Sequence, residues 1–155
     1  MTQTFNTFYF NFSKKMEKHS VNIMRISLAI VYVWFGALKT FGMSPAGELV
    51  EKTVYWFQPE IFIPILGVCE VLIGLGLLTK RLIPYTIPLL LMHMAATFFS
   101  VFILKTICFD AFPYCPTLAG QYIIKNLILI SGALVVAGKY NEKYYAEMNL
   151  KLNEK

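Results

Sequence analysis

Four long apolar runs constrain this chain more than any other feature: Ile23 to Phe41, Ile61 to Thr79, Leu82 to Leu104 and Leu118 to Gly138. Each is close to the roughly 20 residues that a helix, rising about 1.5 Å per residue, needs to cross about 30 Å of hydrocarbon. Lipid offers no partner to a backbone N–H or C=O, so a spanning segment must be a helix or a strand of a closed barrel. None of the four runs shows the period-two alternation of barrel strands. The expected fold is an all-α membrane protein, a bundle of four transmembrane helices. Apolar residues make up 57% of the chain and charged residues only 15%, where soluble domains carry about 25%. That balance argues against disorder, a nucleic-acid partner and a small disulfide scaffold. The net charge of +5 sits in short clusters between the apolar runs, as in membrane proteins.

Those clusters orient the chain. Lys14, Lys15, Lys18, Arg25, Lys80, Arg81, Lys139, Lys143, Lys151 and Lys155 fall on one side, against Lys39, Lys52 and Lys105 on the other. By the positive-inside rule both termini are expected in the cytoplasm. The expected organisation is a cytoplasmic tail over 1–21, a membrane domain over 22–138 and a cytoplasmic tail over 139–155. Ile26 to Leu38 could instead be the core of a signal peptide, with Ser44-Pro45-Ala46 as a weak cleavage site, but Tyr32, Trp34 and Phe35 make that core bulky. In the first outward loop, Ser44 and Pro45 suit an N-cap and first helical position. Leu49, Val50, Thr53, Val54 and Phe57 then share a face opposite Glu48, Glu51 and Lys52. A short amphipathic surface helix ended by Pro59 is expected there, with Tyr55 and Trp56 at headgroup level. The first twenty residues show no clear period and are expected to be mobile or interfacial. The tail after Gly138, with Tyr140, Tyr144 and Tyr145, is expected to continue as a surface helix.

Ionisable groups inside the runs cost roughly 2.5–3.5 kcal/mol each near a span centre and are functional candidates by default. Glu70 lies midway along the second run and His93 midway along the third. Lys125 lies in the fourth with Gln121, Tyr122 and Asn126, and Arg25 and Lys39 bracket the first. Residues seven apart share a helix face, which groups Arg25 with Tyr32 and Lys39, and Thr86 with His93 and Ser100. Gly67 and Gly74 flank Glu70, and Lys125 shares a face with Gly132. The depths of Glu70, His93 and Lys125 differ by less than a lysine's reach, so Glu70 and Lys125 are expected to face each other inside the bundle. Such a pair could be a structural clasp, or it could be a ligand or proton site with His93 setting its charge. Snorkelling toward a headgroup layer is the alternative for Arg25 and Lys39.

Cys108 and Cys115 lie in the second outward loop with Pro113 and Pro116, where an oxidising compartment would sustain a disulfide. They could be a staple, two free thiols or a redox relay, although the spacing is not that of a CxxC dithiol. Cys69 reads as a small buried apolar residue. No metal motif and no catalytic constellation is visible.

The stretches from Arg25 to Val31, Phe35-Gly-Ala-Leu-Lys39, Glu70-Val-Leu-Ile-Gly74 and Pro116 to Asn126 resemble the DoxX-like superfamily of small bacterial inner-membrane proteins. They are most similar to its branch containing the membrane protein of the reactive-chlorine-resistance system. The resemblance covers roughly residues 24–138 and implies a four-span inner-membrane protein with Arg25, Lys39, Glu70 and Lys125 on family-typical positions. It also implies links to oxidative-stress defence or quinone-dependent oxidation, although fold alone does not carry function.

Three functions are then open. The first is an accessory protein, with no autonomous enzyme activity, whose polar interior binds a small lipophilic or anionic molecule in redox or stress homeostasis. The second is a quinone-linked oxidoreductase subunit using Cys108 and Cys115. The third is a small proton-coupled transporter, which four spans would favour only in a homo-oligomer.

Overall fold

The computed structural model describes residues 2–153 apart from 46 and 55, with side chains over 4–140 apart from 46, 48 and 55. Glu48, Tyr55, Tyr144 and Tyr145, placed above in the loop helix and the tail, therefore lie outside the described side chains. In chain order the elements are α1 (Thr2–Thr40), α2 (Gly47–Thr53), α3 (Pro59–Leu78), a 3-10 turn (Lys80–Leu82), α4 (Ile83–Ile103), α5 (Lys105–Cys108), β1 (Phe109–Ala111), β2 (Cys115–Pro116) and α6 (Leu118–Asn153).

Four helical stretches are long and apolar enough to cross a membrane: Thr4–Thr40, Pro59–Leu78, Lys80–Ile103 and Leu118–Tyr140. Their outer faces expose Ile30, Trp34, Leu72, Phe99 and Ile128, the surface that acyl chains would cover. Packed pairs of residues show that successive spans run antiparallel. Gly36 lies against Gly67 while Ala29 lies against Gly74, and Gly76 lies against Thr86 while Glu70 meets His93. Around the bundle the order is α1, α3, α4, α6, with α6 closing back on α1. Thus α3 and α6 stand on a diagonal.

α1 begins well before the first apolar run. Residues 2–20, which show no helical period in the sequence, belong to one unbroken 39-residue helix with the first span. No Gly or Pro occurs before Gly36, so nothing interrupts propagation backward from the span. At its other end Gly42, at φ 69°, ends the helix. The Met43 amide donates to the Leu38 carbonyl at 2.8 Å and the Gly42 amide to Lys39 at 3.2 Å, a Schellman closure that favours glycine at the left-handed position. α6 likewise runs through the C-terminal segment without a break, as no proline follows Pro116. The loop helix α2 begins at Gly47, two residues after the proline expected to start it. Pro59, expected to end it, opens α3 instead, where a missing N–H costs nothing.

The core has two parts. The larger, toward the end that carries both termini, includes Leu28, Tyr32, Ile73, Leu77, Leu90 and Val136. The smaller, at the loop end, packs Val101, Cys108, Phe109 and Ile123. The β1–β2 hairpin beside it was not expected from the sequence. Thr117 joins that hairpin to α6. Its amide donates to the Cys108 carbonyl at 3.0 Å and its hydroxyl to the Ile107 carbonyl at 2.6 Å, and the same hydroxyl accepts from the Gly120 amide at 3.2 Å. Thr117 is thereby the N-cap of α6.

Candidate functional site

The polar centre forms where α1 and α3 approach most closely. A Cβ on Gly36 would lie 2.6 Å from the Gly67 carbonyl oxygen, and one on Gly67 would lie 2.6 Å from that of Gly36. Absence of side chains on both helices brings the backbones together. It also sets Lys39, three residues past Gly36, across from Glu70, three residues past Gly67. Side chains on a helix lean toward its N-terminus. In an antiparallel pair, Lys39 and Glu70 therefore lean toward each other.

The Lys39 ammonium donates to both Glu70 carboxylate oxygens at 2.6 Å. From α4, His93 Nε2 lies 2.9 Å from Glu70 Oε1. His93 Nδ1 lies 3.4 Å from the Tyr32 hydroxyl, with the two rings edge-on at 5.7 Å. A neutral imidazole that donates from Nε2 keeps Nδ1 as an acceptor for that hydroxyl. The result is an uninterrupted line, Tyr32–His93–Glu70–Lys39, across three helices. Glu70 is only 4% exposed, so a carboxylate is held in an apolar interior by two donors, as a buried charge requires.

One expectation is corrected here. Lys125 does not face Glu70: it is exposed on α6, with its ammonium 5.8 Å from the centre of the Tyr122 ring. The cause is the bundle order, which sets α6 diagonally across from α3. In addition, α6 changes neighbours along its length. Near Lys125 it packs Ile123 on the loop-end core, whereas lower down Gly132 meets Met24 of α1. One helical face therefore passes from lipid to protein. Lys39, expected among the interior polar residues with snorkelling as the alternative, points into the bundle.

Of the remaining expected residues, His93 joins the centre, while Asn126 and Gln121 are half-buried on α6 and Tyr122 is exposed. The Gln121 amide donates to the Pro116 carbonyl at 3.3 Å, a loop contact remote from Glu70 in the fold. Arg25, at the termini end of the bundle, donates weakly to the Leu78 carbonyl at 3.4 Å. Its Nε is buried with no hydrogen-bond partner among the described residues. Tyr32, which shares a face with Lys39 by spacing, is the member of the centre that the sequence reading lacks. The signal was there: a tyrosine on the polar face of a span, seven residues from a lysine.

Cys108, Cys115 and Cys69 are free thiols. Cys108 is buried and Cys115 exposed, and the strand register sets Cys115 opposite Ala111. Cys69 is exposed on α3 rather than buried, because it adjoins Glu70 and falls on the helix's outer side. Burial pushes the Cys108 thiol above its ordinary range. Among the described residues, no group of three or more His, Cys, Asp or Glu side chains is placed to hold a metal. No family model, curated protein or solved structure matches this chain.

Proposed function

We propose that this chain is a multi-pass protein of the bacterial inner membrane, of DoxX-like type, with both termini cytoplasmic. In this reading it is an accessory protein of redox or stress homeostasis that holds a small lipophilic or anionic molecule at the Lys39–Glu70–His93–Tyr32 centre. The ten-to-three partition of Lys and Arg supports the orientation. The observation that carries the binding role is the convergence of three helices on one buried carboxylate, with a slack link at its end. The 3.4 Å between Tyr32 and His93 exceeds the usual 2.7–3.2 Å of such a bond. A carbonyl or hydroxyl oxygen, a quinone's included, can take a donor there without disturbing the Lys39–Glu70 pair. An anionic ligand would compete with Glu70 for the Lys39 ammonium.

The thiol-relay alternative has less support, since one thiol is buried, the other exposed, and the register does not pair them. The test is native mass spectrometry of the protein purified in mild detergent, alongside Tyr32→Phe and His93→Ala variants checked for helicity. The expected result is a small molecule on the wild type that is lost from His93→Ala and weakened in Tyr32→Phe. No bound molecule on the wild type, or equal occupancy in all three, would overturn the proposal.

A further inference from the structure

At the end of the bundle that carries both termini, α1, the 80–82 turn and α6 enclose a cleft of about 430 Å³. Lys18, Arg25, Lys80, Arg81 and Lys139 line it, with Glu17 as the acidic residue among them. Positive charge on a membrane flank orients a chain wherever it falls on that flank, so charge alone would not single out a site. Here, however, five cations from three separate elements converge on one concavity. At its margin is Arg25, whose Nε is buried with no acceptor among the described residues and whose Nη1 donates to the Leu78 carbonyl at a long 3.4 Å. A buried donor left without a partner is rare in folded proteins and calls for an acceptor. A guanidinium fork matches a tetrahedral oxyanion, and the lysines add point charges around it.

We infer that this cleft binds a phosphate group, carried either by a lipid headgroup at the bilayer surface or by a soluble phosphate ester. The anion supplies an acceptor to the Arg25 Nε and relieves the repulsion among Lys18, Arg25, Lys80 and Arg81. The site is remote from the Glu70 centre and does not depend on what binds there.

The experiment is native mass spectrometry of the full chain in a neutral detergent, titrated separately with phosphatidylglycerol, diacylglycerol, glycerol 3-phosphate and inorganic phosphate. The variant is Lys18→Gln/Lys80→Gln/Arg81→Gln, in which all three positions are exposed, so that packing is preserved; circular dichroism checks its helicity. The expected result is binding of phosphatidylglycerol or of glycerol 3-phosphate, weakened about tenfold or more in the variant. Preference for the lipid identifies a headgroup site, and preference for the soluble compounds identifies an ester site; either supports the inference. Equal binding of diacylglycerol, equal affinity in the variant, or no binding of any phosphate compound would overturn it.

Discussion

Glu70 owes its place in an apolar interior to Lys39 and His93, and removing Lys39 leaves its charge uncompensated. Lys39→Met is expected to destabilise the protein by about 3–5 kcal/mol, the usual cost of breaking a buried pair. Adding Glu70→Gln should recover most of that loss, as read by thermal unfolding in detergent. The sequence identified Glu70 and His93 as interior polar groups but assigned the wrong lysine. Depth and spacing left Lys39 and Lys125 both within reach. What decides between them is which helices are neighbours and which way each side chain leans, and neither is written in a hydropathy pattern. The thiols allow a second test at this scale. A maleimide should label Cys115 readily and Cys108 slowly, with Cys108 gaining reactivity only above the ordinary thiol range. In that alkaline window the folded state keeps a Cys108 proton that the unfolded chain has lost, so stability falls as pH rises through it. Fast labelling of both cysteines at neutral pH would contradict the burial of Cys108.

Among the elements, the α1–α3 seam is the least forgiving. Gly36→Ala puts a methyl 2.6 Å from one backbone atom and 2.8 Å from another. Backbone cannot swing aside as a flexible side chain would. The helices must separate, at a cost of about 1–3 kcal/mol, and the Lys39–Glu70 contact lengthens with them. Gly138→Ala meets nothing within 4 Å, and should stabilise α6 by about 0.5–1 kcal/mol through helix propensity alone. Comparing the two melting temperatures checks the claim. All four spans were legible because each is a sustained apolar run of spanning length. The helical N-terminal segment was not, because its aromatic and polar residues follow no period and its helicity comes from the lack of breakers. The 109–116 hairpin escaped notice since its strands, three and two residues long, are too short to show alternation.

For the whole molecule, an even number of crossings sets both termini on one side of the membrane. Reporter fusions at the two ends should therefore give the same compartment signal, which the proposed orientation predicts to be cytoplasmic; opposite signals would exclude a four-span topology. α1 has 39 residues and α6 has 36, roughly 58 and 54 Å of helix, where the hydrocarbon is about 30 Å thick. Both rods outrun the layer that they cross, and both surpluses emerge at the same end of the bundle. Because no joint separates the submerged half of α1 from its projecting half, tilting the first about the Gly36–Gly67 contact sweeps the second through an arc that grows with its length. The molecule has the form of a lever, with its fulcrum beside the buried carboxylate and its long arm bearing the exposed Phe5, Phe8 and Phe12.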